Sequence, residues 1–388
     1  MTTVKKLKVY IIAGEPSGDL LGSRLMGALR QKTNNNVEFF GLGGDTMERE
    51  GLKSIFDISE LSVMGLIEVI PSIPRVLKRI HQTVEDIVSK RPDVVITIDS
   101  WSFCSRIHQA LRKKNTGIKQ VHYVAPQVWA WKKHRAKTMY KYVDLLLTLL
   151  PNEPKYFTKY NLETVFVGHP VIESAALKAD GSVFRKKFGI DDKKQVITVL
   201  PGSRHTEVAR LLPDFLAAAR LLQEKNPEIV FALPTVKTVA KRVKSMIKDI
   251  DLPVILLDNE ADRYSAFQAS AAAIAASGTV ALELAICKIP HIIAYKVSAL
   301  TYLIASHLVH IKYVNLTNIL LKRGVVPELL QNKCTPENIV AKIEELLKRG
   351  KAYDKQMSGF EDVKAYLTTG KQTPSENAAD VILKALSC

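Results

Sequence analysis

Cysteine is scarce in this chain. The 388 residues hold four, at Cys104, Cys287, Cys334 and Cys388, and no two form a Cys-x-x-Cys pair. That argues against a disulfide framework and a zinc site, and it fits a reducing cytoplasm. Acidic residues are also in short supply, 39 against 55 Lys and Arg, leaving a formal charge of +16. Up to Pro170 there are 25 basic and 16 acidic residues, and after it 30 and 23. The excess is therefore spread over both halves, with no separate basic tail of the kind many nucleic-acid binders carry. It favours anionic partners in general: nucleic acid, phosphorylated metabolites or acidic lipid surfaces. Zinc patterns, a helix-turn-helix signal and aromatic RNA-binding motifs are all missing, which weakens the nucleic-acid alternative. Long apolar runs are missing too. The longest uncharged window, Tyr264 to Leu282, is rich in Ala and Ser, holds Gln268 and Gly278, and reads as a buried strand, loop and helix. The first eight residues run straight into a strand-like segment and do not read as a signal peptide. A soluble protein is expected, with any membrane contact peripheral.

What is present is alternation. Short apolar runs bounded by Gly, Pro or a charge alternate with longer amphipathic stretches. In the first half they are Leu7–Ala13, Val37–Gly41, Asp93–Asp99, Lys119–Val124, Asp144–Leu150 and Thr164–Gly168. In the second they are Gln195–Leu200, Glu228–Leu233, Pro253–Leu257, Ala272–Ala276 and Pro290–Tyr295. This is the pattern of parallel strands covered by helices on both faces, hence an α/β protein. At this length two cores are expected. Two sets of strands, each opening on a Gly-rich turn, predict two Rossmann-like doubly wound domains joined near Gly168-His169-Pro170. The predicted division is residues 1–170, residues 171–365, and a final helix at 366–388 that, by analogy with two-lobed enzymes, returns to the first domain.

In such sheets ligands bind beyond the carboxyl ends of strands. The first strand runs into Gly14-Glu15-Pro16-Ser17-Gly18-Asp19, before a helix predicted over Leu20–Arg30. Glycines and free helix amides suit an anion, but the loop lacks a lysine, and Glu15 and Asp19 oppose phosphate. Acceptor contact through Glu15 and Ser17, or a tight turn with Ser17 or Asp19 as cap, are the two readings. Gly41-Leu42-Gly43-Gly44-Asp45 follows the second strand and is a weaker signal of the same kind. In the second half, Gln195–Leu200 leads into Pro201-Gly202-Ser203-Arg204 and a helix from about Thr206. A guanidinium at a helix N-terminus is a phosphate ligand by geometry and charge; the plainer alternative is a pair with Glu207. Ser277-Gly278-Thr279, after the strand ending at Ala276, offers amides and hydroxyls to a diphosphate. Glu283, one turn later, suits ribose hydroxyls. Asp249-Ile250-Asp251 matches the Asp-x-Asp of metal-dependent sugar transferases, but it ends a Lys-rich helix and reads as a solvated turn. From Leu61 to Ile80 apolar residues, Met64, Ile67 and Ile70 among them, lead into Arg75, Lys78 and Arg79. That suits acyl chains at an anionic membrane, or a buried helix hairpin interrupted by Pro71 and Pro74. The cations of Trp131 to Lys137 offer a second contact for lipid phosphates, or a solvated helix face.

Together, Gly14–Asp19, Leu61–Gly65, Ile98-Asp99, Tyr123–Trp131, Gly168–Pro170, Leu200–Arg204, Ser277–Glu283 and Tyr313–Asn318 resemble the lipid-A-disaccharide synthase family of GT-B glycosyltransferases. The most specific combination is Pro126-Gln127-Val128-Trp129-Ala130-Trp131 with Leu200-Pro201-Gly202-Ser203-Arg204. The resemblance implies metal-independent, cofactor-free transfer of 2,3-diacylglucosamine from UDP to the 6-hydroxyl of 2,3-diacylglucosamine 1-phosphate, with inversion. It further implies cytoplasmic location with peripheral contact at an anionic inner membrane, no nucleic-acid partner, and an open oligomeric state. On this reading Asp99 is the base, with a helix N-cap as the alternative. Arg204 stabilises departing UDP. Ser203, Ser277, Gly278, Thr279, Glu283 and Asn318 hold the nucleotide. One stretch departs from the family pattern. After Ile98-Asp99-Ser100 the family usually has Pro-Asp-Phe-Asn, where this chain has Trp101-Ser102-Phe103-Cys104. Rival readings are another GT-B enzyme, such as a UDP-sugar epimerase or a lipid-linked sugar transferase, or a non-catalytic basic protein that binds lipid or nucleic acid.

Overall fold

The computed structural model describes residues 5–61, 66–128, 134–298 and 312–387, without the side chains of residues 66–72. The chain divides into two compact units, Met1–Pro170 with Leu367–Cys388, and Val171–Tyr366. The first runs β1 (Leu7–Ala13), α1 (Pro16–Lys32), β2 (Val37–Leu42), α2 (Asp45–Arg49), α3 (Leu66–Lys90), β3 (Val94–Ile98), α4 (Trp101–Lys113), β4 (Lys119–Tyr123), α5 (His134–Met139), β5 (Leu145–Thr148), α6 (Lys155–Thr158) and β6 (Glu163–Phe166). Its sheet is parallel in the order β2-β1-β3-β4-β5-β6. Every residue of β3 is buried. That is why these strands carry continuous apolar runs rather than alternation, with each fully buried Val or Ile contributing about 1.5–3 kcal/mol.

The second unit runs α7 (Gly181–Lys187), β7 (Gln195–Leu200), α8 (His205–Lys225), β8 (Ile229–Pro234), α9 (Ala240–Ile247), β9 (Val254–Leu257), α10 (Glu260–Ala269), β10 (Ser270–Ala275), α11 (Val280–Ile286), β11 (His291–Tyr295), α12 (Leu316–Leu321), β12 (Glu328–Leu330), α13 (Pro336–Leu347) and α14 (Lys351–Leu367). Its sheet is also parallel, in the order β12-β11-β10-β7-β8-β9. The last helix, α15 (Pro374–Ser387), belongs to the first unit. There Ala378, Ala379 and Ile382 share a core with Leu25, Met26 and Leu29 of α1, and Asp380 pairs with Lys32 at 2.8 Å.

Three expectations change. Helix α1 starts at Pro16, not Leu20. Proline is suited to the first helical turn because its missing N–H has no intrahelical partner there, so Ser17 and Asp19 are helical residues rather than loop. Asp19 caps a neighbour and not its own helix. Its buried carboxylate accepts from Gly44 N at 2.8 Å, Thr46 N at 2.9 Å, Thr46 Oγ1 at 2.7 Å and Met47 N at 3.1 Å. Those bonds fix the turn into α2. Finally, α3 is one helix through Pro71 and Pro74. Pro74 is exposed, and each proline removes one intrahelical bond without ending the helix. Strand β12, three residues long, has no counterpart among the predicted runs. No helix among the described residues is long and apolar enough to cross a membrane.

Candidate active site

In the second unit a cavity of about 350 Å³ opens at the carboxyl ends of the strands, lined by Ser203, Arg204, Ser277, Gly278, Thr279 and Glu283 among others. The β7 loop is shaped by Gly202, which has φ +104°; a Cβ there would stand 2.5 Å from Glu207 Oε2. Glu207 organises this loop. Its Oε2 accepts from Ser203 N at 3.2 Å and Arg204 N at 3.4 Å, and its Oε1 accepts from Arg204 Nη1 at 2.9 Å and Tyr295 OH at 3.1 Å. Arg204 thus takes the Glu207 pair foreseen as its plainer alternative, yet its side chain stays 60% exposed. An exposed pair of this kind holds about 0–1 kcal/mol, little enough for an incoming diphosphate to displace it. The β10 loop passes through Gly278 at φ +142°, a conformation closed to other residues. Glu283 accepts from Ser174 Oγ at 3.3 Å, and Ser277 Oγ lies 3.5 Å from Val314 O.

Asn318 is not part of that cavity. Its amide is buried and fully engaged. Oδ1 accepts from Val325 N at 2.7 Å and Val326 N at 2.9 Å, while Nδ2 donates to Val326 O and Glu328 Oε1, both at 2.8 Å. Its observed part is to hold the turn before β12. Two lining residues are absent from the sequence reading: Thr235, just past β8, and Arg263, in the first turn of α10. The rule that flagged Arg204, a polar residue immediately after a strand, applies to Thr235 but not to Arg263, which lies within α10.

In the first unit Asp99 follows β3 with φ +53°, and Ser100 follows at φ +41°. Two consecutive left-handed residues are costly outside glycine, and such strain concentrates at functional turns. Val124, at the end of the neighbouring β4, has φ +82°. Asp99 N donates to Tyr123 O at 2.9 Å, and Ser100 Oγ donates to Glu15 Oε1 at 3.1 Å. Burial, then the nearby Glu15 carboxylate, push the Asp99 carboxyl above its usual range. Those are the conditions that make an aspartate a better base near neutrality. Glu15 and Ser17 are exposed beside this turn.

The departure at Trp101 to Cys104 is packing. Trp101, Phe103 and Cys104 are buried, and the Trp101 ring meets His122 edge-on at 4.8 Å. Behind them Thr97 Oγ1 bonds His108 Nε2 at 2.8 Å and His122 Nδ1 at 2.6 Å, and His108 Nδ1 bonds Gln120 Oε1 at 2.7 Å. Burial lowers the His108 pKa to about 4 and that of His122 well below its ordinary value, so both rings are neutral. Ser102, standing where the family has its second acid, is exposed with Arg135 Nη2 at 3.4 Å from its hydroxyl.

On α3, Ile73 and Leu77 are 43% and 50% exposed beside exposed Arg75 and Lys78. Arg79 is occupied differently, bidentate to Glu60 and 4.6 Å from the Phe56 ring centroid. Met64, the side chains of Ile67 and Ile70, and Trp129 to Lys133 lie outside the described residues. Asp249 and Asp251 are exposed in the turn between α9 and β9.

The profile of the lipid-A-disaccharide synthetases matches residues 9–382. A lipid-A-disaccharide synthase from Paramagnetospirillum magneticum is 47% identical over 377 residues, covering 97% of this chain and 96% of its own. One from Rhodospirillum centenum is 44% identical over 384 residues, covering 99% and 96%. Among solved structures, the UDP-GlcNAc 2-epimerase from Neisseria meningitidis bound to UDP-GlcNAc superposes with a TM-score of 0.65 at 13% identity, covering 98% of this chain and 100% of its own. MurG from Acinetobacter baumannii gives 0.59 at 15%, covering 98% and 99%. At such identities the likeness is of fold, and that fold is GT-B.

Proposed function

The chain belongs to the lipid-A-disaccharide synthase family and is a glycosyltransferase of lipid A biosynthesis; from that premise we propose that it moves 2,3-diacylglucosamine from UDP to the 6-hydroxyl of 2,3-diacylglucosamine 1-phosphate with inversion. The observation that carries this reading is the convergence of Arg204, Ser203, Ser277, Gly278, Thr279 and Glu283 on one cavity. A diphosphate there meets a guanidinium fork, the hydroxyls of Ser203, Ser277 and Thr279, and the N-terminal end of the 21-residue α8. Glu283 accepts from ribose hydroxyls.

Inversion is a single displacement. The acceptor oxygen forms its bond to the anomeric carbon as the carbon–oxygen bond to UDP breaks. The bonding pair leaves with the β-phosphate oxygen, where Arg204 offsets the charge. The hydroxyl proton passes to Asp99, and Glu15 and Ser17, at the head of α1, supply acceptor contacts. No metal ion is needed for this division of labour, because the arginine supplies the positive charge. The test is incubation with both acylated sugars in the presence of EDTA, followed by mass spectrometry. Disaccharide 1-phosphate and UDP are expected in equal amounts. Absence of product, or its abolition by EDTA alone, removes the corresponding part of the proposal.

Acyl chains need an apolar surface close to the membrane. Ile73 and Leu77 with Arg75 and Lys78 support such a contact on α3, apolar side chains for the lipid and cations for its headgroups. Leu77→Glu is expected to reduce sedimentation with anionic phospholipid vesicles about tenfold, a loss of about 1.4 kcal/mol. Undiminished binding would put the membrane contact elsewhere.

A further inference from the structure

Two polar groups in the cavity of the second unit have no task in the reaction just described. Arg263 lines it together with Arg204 and Glu283. One terminal nitrogen bonds Glu260 at 3.1 Å, and the guanidinium lies 4.5 Å from the Tyr264 ring centroid. Its Nε is buried with no hydrogen-bond partner. Thr235 lines the same cavity; its backbone N–H donates to Leu257 O at 2.7 Å and anchors the turn, whereas its Oγ1 is also buried and unpartnered. Orphaned buried polar atoms are uncommon and call for a reason. Others in this chain, His122 Nε2 and His291 Nε2, belong to rings wholly enclosed by protein. Among the described residues with such orphaned atoms, Thr235 and Arg263 are the two that line the cavity of the Arg204 and Ser277 loops.

Topology says which part of a ligand they meet. The strands run β10-β7-β8-β9 across the sheet. The proposed diphosphate donors follow β10 and β7, Thr235 follows β8, and the helix bearing Arg263 follows β9. Adjacent strands are about 4.8 Å apart. A nucleotide whose diphosphate lies over β10 and β7 therefore extends its far end toward β8 and β9. We propose that Arg263 and Thr235 read the nucleobase of the donor, the guanidinium donating to the C4 carbonyl oxygen of uracil and the hydroxyl bonding the adjoining edge. This deepens the UDP reading of the cavity and rests on it. Uracil presents two carbonyl acceptors around one N–H. Cytosine replaces one of those carbonyls with an amino donor. Arginine has only donors, so it accepts the first base and rejects the second, leaving cytosine's amino group and its own N–H groups facing each other unpaired.

Calorimetric titration of the full chain with UDP, UMP and CDP, repeated for Arg263→Gln and Thr235→Val, tests the assignment. The parent is expected to prefer UDP to CDP by about tenfold or more. In Arg263→Gln, UDP and UMP should weaken by the same factor, about tenfold, and the preference for UDP over CDP should shrink toward unity. Thr235→Val should show the same pattern with a smaller loss. A loss confined to UDP with UMP unchanged would make Arg263 a β-phosphate ligand and overturn base reading. Unchanged binding of all three in both variants would overturn it as well. Failure of the parent to bind UDP at all would instead overturn the nucleotide reading of the cavity, an outcome separate from either.

Discussion

Asp99→Asn is expected to lower turnover by about 10²–10⁴-fold, the range for loss of a positioned general base, while UDP affinity stays within about twofold. Asparagine is the informative replacement. It matches the carboxylate in size and tolerates the left-handed backbone at φ +53°, so the turn survives and only the base is removed. Stability gives an independent check. Burial and Glu15 hold the Asp99 carboxyl above its usual range, and so above its unfolded value of about 3.9. Between those two values the folded protein keeps a proton that the unfolded chain has lost. Stability contributed by this group therefore falls as pH rises through the window. Above that window the carboxylate is a liability to the fold, and Asp99→Asn should melt no lower than the parent. An inactive variant with an equal or higher melting temperature marks a catalytic group. Turnover near that of the parent would remove Asp99 from the mechanism.

The same electrostatics give Glu15 a signature that a merely structural residue lacks. Its charge opposes ionisation of Asp99. Glu15→Gln removes that charge while retaining an acceptor for Ser100 Oγ, so Asp99 ionises more readily. The acid limb of the kcat/KM profile should move to lower pH. A structural role alone would lower the plateau and leave the limb in place.

The parts of the molecule legible in the sequence are those where one physical signal suffices. Strands β1 and β7 occupy the apolar runs that announced them, because strands buried on both faces need continuous apolar side chains. Arg204, Ser277 and Asp99 were visible for a related reason: a polar residue directly after such a run sits at the open edge of the sheet. Strand β12 was hidden because it is three residues long at the sheet edge and includes Glu328. That carboxylate looks like a surface charge but receives Val314 N, Asn315 N and the Asn318 amide. The structural part of Asn318 was hidden for the same reason, since three of the four bonds that engage it are to backbone groups, and backbone leaves no mark in sequence. Asp19 caps a helix that begins 26 residues further on, a relation set by packing. Arg263 sits among Glu260, Asp262 and Tyr264 and reads locally as a solvated first turn; its share in a cavity arises only from the order of strands.

The second large effect is at Arg204. Arg204→Ala should cost about 10²–10³ in kcat/KM, equivalent to about 2.7–4 kcal/mol of transition-state stabilisation. The loss in folding stability should be no more than about 0.5 kcal/mol. The asymmetry follows from what the side chain does before and during the reaction. Its side chain is 60% exposed and paired with Glu207, so the fold gains little from it. Glu207 keeps the loop in shape without it, through the Ser203 and Arg204 amides and Tyr295 OH. As the bond to UDP breaks, negative charge accumulates on the leaving diphosphate, where a pre-placed guanidinium counts most. Arg204→Lys separates charge from geometry. It keeps the cation and loses the fork, so recovery of about tenfold over alanine is expected, short of the parent. If lysine restored full activity, charge alone would be the requirement. If alanine itself kept kcat/KM near that of the parent, the leaving group would be stabilised by other residues, and the arginine at the head of α8 would be no more than a partner for Glu207.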